Sequence, residues 1–198
     1  MAGQKKYGMI VDTRKCVGCI SCTITCKMEN KVPFEGFRAW VNIRERGDYP
    51  NVKRHFLPRL CNHCEKAPCV QVCPVQATYR REDGVVVIDE KRCIGCGYCI
   101  TACPYHARYL HPQTKVADKC NFCQHRLEQG LEPACVKNCM GKARIFGDLN
   151  DPSSRISRVL GANPAQTLLP DLGTEPKVYY ISADVNLSQA KEAKASGQ

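Results

Sequence analysis

The chain has 198 residues, 16 of them cysteine, and a formal net charge of +10. Leu, Ile, Val and Phe together number only 42, too few for an apolar core alone to hold a chain of this length, so covalent or inorganic links are expected to replace the missing contacts. No window approaches the roughly 18 consecutive apolar residues that cross a bilayer, and no direct membrane span is expected. The basic excess would ordinarily point to nucleic acid or an acidic surface. If all the thiols are thiolates on four cubanes carrying about −2 each, the sum falls to about +2, and no nucleic-acid partner is expected.

In chain order, Met1–Tyr7 leads to the first cysteine without an apolar signal core, so the chain is expected to carry no export signal of its own. Val11-Asp12 ends a short apolar run and Thr13-Arg14-Lys15 follows, a strand and turn feeding Cys16, Cys19, Cys22 and Cys26, spaced C-x2-C-x2-C-x3-C. Residues 27–60, with Trp40 in the run Ala39–Arg44, read as a strand-rich insertion. Cys61, Cys64, Cys69 and Cys73 then read C-x2-C-x4-C-x3-C. Asp83-Gly84 between Thr78–Arg81 and Val85–Ile88 signals a hairpin. Ile88-Asp89-Glu90-Lys91-Arg92 before Cys93 repeats the pattern before Cys16, and Cys93, Cys96, Cys99 and Cys103 repeat the first spacing. His111-Pro112-Gln113-Thr114 separates two more short apolar runs, Ala107–Leu110 and Lys115–Ala117. Ala117-Asp118-Lys119 is a third echo, before Cys120, Cys123, Cys135 and Cys139, spaced C-x2-C-x11-C-x3-C. Residues 140–186 form a wrap without cysteine, and Leu187–Gln198 is a polar tail. Short strands and short helices around metal loops make an α+β chain.

The first and third groups have the spacing in which three thiolates from a tight loop hold one 4Fe–4S cubane and the fourth reaches a neighbouring cluster. Gly18, Gly95 and Gly97 lie inside these loops, where backbone must approach sulfide closely. Pro74 and Pro104 follow the last cysteine of groups two and three, whereas Lys27 and Met140 take that place in groups one and four. A structural zinc site closes on four ligands and has no use for four cysteines in eleven residues; a disulfide framework suits small secreted chains. His63 and His106 read first as packed or surface residues rather than cluster-tuning donors, and Trp40 reads as core rather than a partner contact. Lys15, Arg92 and Lys119, each directly before a first cysteine, are candidates for raising a cluster potential, against the plainer reading of solvated charge. No GxGxxG, Walker A loop or nucleophile–base pair stands apart from the cysteines, so the chain is not expected to be catalytic alone.

The order of the four groups, with x4 in the second and x11 in the fourth, resembles the four-cluster ferredoxin subunit of molybdenum oxidoreductases of the dimethyl-sulfoxide-reductase type. Leu60–Cys64, Cys73–Thr78, Asp118–Cys123, Gly147-Asp148-Leu149 and Gly173–Lys177 look most like the tetrathionate, polysulfide and thiosulfate reductase subunits, with arsenate respiratory reductase subunits also similar. One departure is His106, where relatives often have Asp. The resemblance implies two pseudo-symmetric ferredoxin-like modules, each holding two 4Fe–4S clusters: 1–60 with 104–150, including the insertion 27–60, and 61–103, followed by a C-terminal wrap and tail over 151–198. Carried over residue by residue, it implies that Cys16, Cys19, Cys22 and Cys139 hold cluster one, nearest a molybdopterin catalytic subunit. Cys120, Cys123, Cys135 and Cys26 hold cluster two; Cys61, Cys64, Cys69 and Cys103 hold cluster three; Cys93, Cys96, Cys99 and Cys73 hold cluster four, nearest a quinone-reactive membrane subunit. The implied function is single-electron relay between those partners, with the pair co-exported to the outer face of the cytoplasmic membrane. The equivalent subunit of a formate dehydrogenase or hydrogenase, a free-standing polyferredoxin and a cytoplasmic-face location are the alternatives.

Overall fold

A strand leads into each cysteine loop and a helix leads out of it, four times along the chain. The computed structural model describes residues 4–182; the polar tail Leu187–Gln198 lies outside the described residues. The elements are β1 (Tyr7–Asp12), α1 (Ser21–Asn30), β2 (Ala39–Arg46), β3 (Lys53–Leu60), α2 (Pro68–Gln71), β4 (Thr78–Arg80), β5 (Val86–Ile88), α3 (Tyr98–Thr101), β6 (Tyr109–Leu110), β7 (Ala117–Asp118), α4 (Gln124–Leu127), α5 (Ala134–Lys137), β8 (Arg144–Asp148), α6 (Arg155–Ala162) and β9 (Val178–Ile181). Strands β1, β3, β5 and β7 precede the four groups, and α1, α2, α3 and α5 carry their third cysteines. The result is a small mixed α/β fold.

Pairing follows the same repeat. The strand leaving one group is antiparallel to the strand entering the next, giving β2–β3, β4–β5 and β6–β7, and the strand leaving the last group, β8, returns to β1. The Asp83-Gly84 hairpin is present with Thr78 opposite Ile88, and Gly84 takes the left-handed φ of 79° that its turn needs. The second hairpin is shorter than expected. Lys115 turns left-handed at φ 56°, so its strand begins only at Ala117. Insertion 27–60 first completes α1 and then forms the β2–β3 hairpin. Helix α1 packs against α5, and α2 against α3, so group one adjoins group four and group two adjoins group three.

The β8–β1–β9 sheet shows how alternation divides the core. Met9 and Val11 face the main core with Phe146, Val178 and Tyr180, while Ile10 faces away with Ile145 and Ile181. Helix α6 covers that second face with Ile156, its start fixed by Ser154, whose side chain accepts from the Ser157 N–H at 3.2 Å. Strand β9 lies parallel to β1, so the expected wrap becomes an edge strand of the same sheet. Each fully buried aliphatic here contributes about 1.5–3 kcal/mol. Among the described residues, nine of the 27 buried members of the main core are cysteines, so its interior is built around sulfur. No helix of the described residues is long and apolar enough to cross a membrane.

Candidate metal centre

Each cysteine loop begins where a strand stops. Asp12 and Asp89 end that stretch by accepting from the N–H two residues on, of Arg14 at 3.1 Å and Lys91 at 3.0 Å, which turns the chain away from the sheet. Two residues after each first cysteine the backbone is left-handed: Gly18 at φ 69°, His63 at 44°, Gly95 at 69° and Phe122 at 54°. This conformation costs a non-glycine residue about 1–2 kcal/mol. At His63 and Phe122 the cost is offset by packing, since their rings stack at 3.7 Å between the second and fourth loops. His63 is fully buried, its Nδ1 accepts from the Val86 N–H at 3.1 Å, and burial with Lys119, Lys177 and Arg108 nearby pushes its pKa well below the ordinary value. It is a packed neutral histidine. His106 is exposed, and Trp40 is half-buried under the Arg59 guanidinium at 5.4 Å.

A second repeated device follows the fourth cysteine. Gln76, His106 and Lys142, three residues after Cys73, Cys103 and Cys139, are all left-handed. The chain doubles back, and the next residue is a buried alanine, Ala77, Ala107 or Ala143; the Ala143 N–H donates to the preceding cysteine sulfur, and in group two the Thr78 N–H donates to Cys73 Sγ at 3.5 Å. For Ala143 the distance to Cys139 Sγ is 3.2 Å. In group one, Asn30 stands at the equivalent position and its Nδ2 lies 3.7 Å from both Cys26 Sγ and Cys123 Sγ. The alanine repeat was legible in the sequence as C-x3-A, three times over, and composition-led reading missed it.

The sulfurs of different groups converge. One cavity is lined by Cys16, Cys19, Cys22 and Cys139, together with Lys15, Gly141 and Arg144. Another is lined by Cys61, Cys64, Cys69 and Cys103, with Asn62, Val86 and Arg108. Burial, with Cys135 and Cys123 nearby, pushes the Cys26 thiol up, and burial, with Cys26, Cys135, Cys123 and Cys61 nearby, does the same to Cys120. Cys93 and Cys73 are half-buried, Cys96 is exposed and Cys99 is buried on α3. Among the described residues no three His, Cys, Asp or Glu side chains close on a point fit for a single metal ion; the sulfurs of Cys16, Cys19, Cys22 and Cys139, and those of Cys61, Cys64, Cys69 and Cys103, stand around cavities instead.

Charge inside these cavities is distinctive. Arg144 is buried, its Nη1 lies 3.9 Å from Cys135 Sγ, and its Nη2 has no hydrogen-bond partner in the described residues. Arg108 is buried with Nη2 donating to Cys69 Sγ at 3.0 Å. Lys119 is buried and donates to the carbonyls of Val86 and of Cys120. Lys15 and Arg92 are exposed, where solvent screens a charge. Arg108 and Arg144 each stand five residues after a fourth cysteine, a position that adjacency to a first cysteine does not reveal.

The donor set fits an iron–sulfur group. Burial pushes the Cys26 and Cys64 thiols up to about 12 and Cys135 to about 11, so these groups ionise at neutral pH only when a metal takes the place of the proton. The side-chain oxygen and nitrogen of Asn62, on the wall of the second cavity, are both buried without a hydrogen-bond partner in the described residues, and its Nδ2, with Arg144 Nη2, is a donor that cluster sulfides would accept.

Comparison with known proteins agrees with this geometry. The model of the 4Fe-4S dicluster domain family matches residues 52–149. The chain is 52% identical over 184 residues to the B subunit of tetrathionate reductase from Salmonella typhimurium, covering 90% of this chain and 73% of that protein. It is 46% identical over 180 residues to the B component of polysulfide reductase from Wolinella succinogenes, covering 89% and 94%. It is 41% identical over 207 residues to the B subunit of selenate reductase from Mesobacillus selenatarsenatis, covering 88% and 71%. With sixteen cysteines in four such groups, this protein belongs to the family of ferredoxin-type iron–sulfur electron-transfer subunits of dimethyl-sulfoxide-reductase-type molybdenum oxidoreductases, its cofactors are 4Fe–4S clusters, four in all, and it is not catalytic alone.

Proposed function

We propose that this chain relays single electrons along four clusters in the order one, two, three, four, between a molybdopterin subunit at the Cys19 end and a quinone-reactive membrane subunit at the Cys96 end. The complex served is a reductase of tetrathionate, polysulfide, thiosulfate or arsenate, on the outer face of the cytoplasmic membrane. The ligand sets are Cys16, Cys19, Cys22 and Cys139; Cys26, Cys120, Cys123 and Cys135; Cys61, Cys64, Cys69 and Cys103; and Cys73, Cys93, Cys96 and Cys99. In this reading groups one and four make one ferredoxin-like module and groups two and three the other, as the packing of α1 on α5 and α2 on α3 supports.

Bound clusters supply one-electron storage at potentials anywhere within about −700 to +450 mV; the protein sets where they sit and what surrounds them. Neighbouring sets adjoin one another: Arg144 lies 3.9 Å from Cys135 Sγ and lines the cavity of Cys22, Cys61 helps push the buried Cys120 thiol up, and Arg108 donates to Cys69 on α2, which packs against the α3 that carries Cys99. This supports a linear order.

The observation that carries the two-ended relay is exposure. Only Cys19 and Cys96 among the sixteen are exposed. Each is the second cysteine of a group at one end of the line. Val17, Ile20 and Ile24 are exposed around the first, and Ile94 and Tyr98 around the second. Apolar side chains left in water beside an electron port suit a partner subunit that covers them. Ile24→Glu should release the molybdopterin subunit, and Ile94→Glu the membrane subunit, with iron content unchanged in both. Co-purification of both partners with both variants would refute the two-ended reading.

A further inference from the structure

We propose that Arg144 and Arg108 are shared cations, each lodged between two clusters and raising the potentials of both together. The inference rests on the ligand sets above and goes beyond them, since it concerns a residue that binds no iron. Arg144 begins β8 directly after the Cys139 turn, and its side chain runs back into the core. Its Nη1 lies 3.6 Å from Met9 Sδ and 3.9 Å from Cys135 Sγ. The same side chain lines the cavity of Cys16, Cys19, Cys22 and Cys139, so a single guanidinium faces sulfur of the first set and of the second.

Arg108 repeats the arrangement in the other half. It stands five residues after Cys103, as Arg144 stands five after Cys139. Its Nη2 donates to Cys69 Sγ at 3.0 Å and its Nη1 to Thr78 Oγ1 at 3.2 Å, while the side chain lines the cavity of the third set; Cys99 of the fourth set, on the α3 that packs against Cys69's helix α2, stands near enough to favour its charged form. Neither arginine has a carboxylate partner among the described residues, so sulfur is the anion each one meets. An unpaired charge in a dry interior is expensive. Its retention at matching places in both halves therefore calls for a compensating negative charge, and two clusters that each gain an electron provide it. A cation in the gap stabilises the reduced form on either side. It also offsets the repulsion that one added electron would exert on the next, because a low-dielectric interior screens neither effect.

The test is Arg144→Gln in the intact complex, read by low-temperature paramagnetic resonance during a redox titration, with iron content as control. Two clusters should become harder to reduce by at least tenfold in equilibrium constant, 59 mV for a one-electron couple, while the other two hold. Arg108→Gln should move the complementary pair. Arg144→Lys, which keeps the charge, should keep both potentials close to those of the parent. No shift, a shift of a single cluster, or an equal shift of all four would overturn the proposal. If Arg144→Gln loses iron, Arg144→Lys decides: retained iron and potentials support the shared charge, and their loss refutes it. Comparing Cys22→Ser with Cys26→Ser tests the ligand sets without touching the arginines. If those two variants lose different signals and Arg144→Gln moves none, the ligand sets stand and only the shared cation falls.

Discussion

Gly141→Ala should disable the proposed first ligand set by a steric route that leaves every cysteine in place. Gly141 lies two residues after Cys139, and a Cβ built there would stand 2.2 Å from the Lys15 carbonyl oxygen and 3.4 Å from its carbon. Both atoms are backbone, so no rotamer change relieves the contact, and returning to ordinary van der Waals distance requires the two segments to part by about 1 Å. Lys15 adjoins Cys16, and Lys15, Cys16, Cys139 and Gly141 line one cavity. The separation therefore falls on Cys16 and Cys139, which the proposed set brings to one cluster, and about 0.5 Å is already a serious displacement for a ligand. Overpacking of this kind costs about 1–3 kcal/mol, small beside the 5–15 kcal/mol of an ordinary fold, so the chain should assemble with one cluster altered. Iron should fall from about sixteen toward about twelve per chain, with one paramagnetic signal lost or converted and three retained. Gly161→Ala, where nothing lies within 4 Å of the added carbon, is the control and should keep all iron. Full iron and an unchanged spectrum in Gly141→Ala would show that Cys139 and the Cys16 loop do not share a cluster.

Three further outcomes are expected. Cys22→Ser and Cys139→Ser should lose the same paramagnetic signal although they belong to different groups, whereas Cys26→Ser, only four residues from Cys22, should lose another; if Cys22→Ser and Cys26→Ser remove the same signal, the shared-ligand arrangement is wrong. Removal of iron should leave the chain largely unfolded, since nine cysteines sit in its main core and their convergence depends on the metal; a cooperative melting transition in iron-free protein would refute this. Although burial opposes it, Lys177, Lys6 and Arg80 hold the Glu65 carboxyl down at about 2. Its folded pKa lies below its unfolded value near 4.5, so its contribution is present above about pH 4.5 and is lost as pH falls toward 2. The difference in melting temperature between the parent and Glu65→Gln should shrink over that interval, and a difference that grows there would reverse the assignment.

The repeat was legible because its marks are local. A first cysteine after a short apolar run and an aspartate predicts a strand, a turn and a loop, and β1, β5 and β7 end at Asp12, Ile88 and Asp118 in that way. The Asp83-Gly84 hairpin was equally legible, because a turn declares itself within four residues. The partner of β1 was not. Its neighbours β8 and β9 lie more than 130 positions away in sequence, and nothing within the apolar run Tyr7–Asp12 says which of many short apolar runs will sit beside it. The left-handed His63 and Phe122 were hidden for a related reason: glycine announces such a backbone, whereas these two rely on each other's rings across two loops.

Charge shows the same division more sharply. Lys15, Arg92 and Lys119 share one sequence position, directly before a first cysteine, yet two are exposed and only Lys119 is buried. What separates them is the surface each meets. Lys119 finds the carbonyls of Val86 and Cys120 inside the core, whereas the exposed Lys15 side chain lies 3.9 Å from Asp12 Oδ2. An exposed charge beside a cluster is screened and contributes little, while a buried one acts at nearly full strength on whatever lies within a few ångströms. Burial, which position along the chain does not give, is therefore what separates these three candidates. Arg108 and Arg144, five residues past a fourth cysteine, follow the left-handed turns at His106 and Lys142, which bring the backbone back just before them. The same turn and the guanidinium that follows it recur after Cys103 and after Cys139.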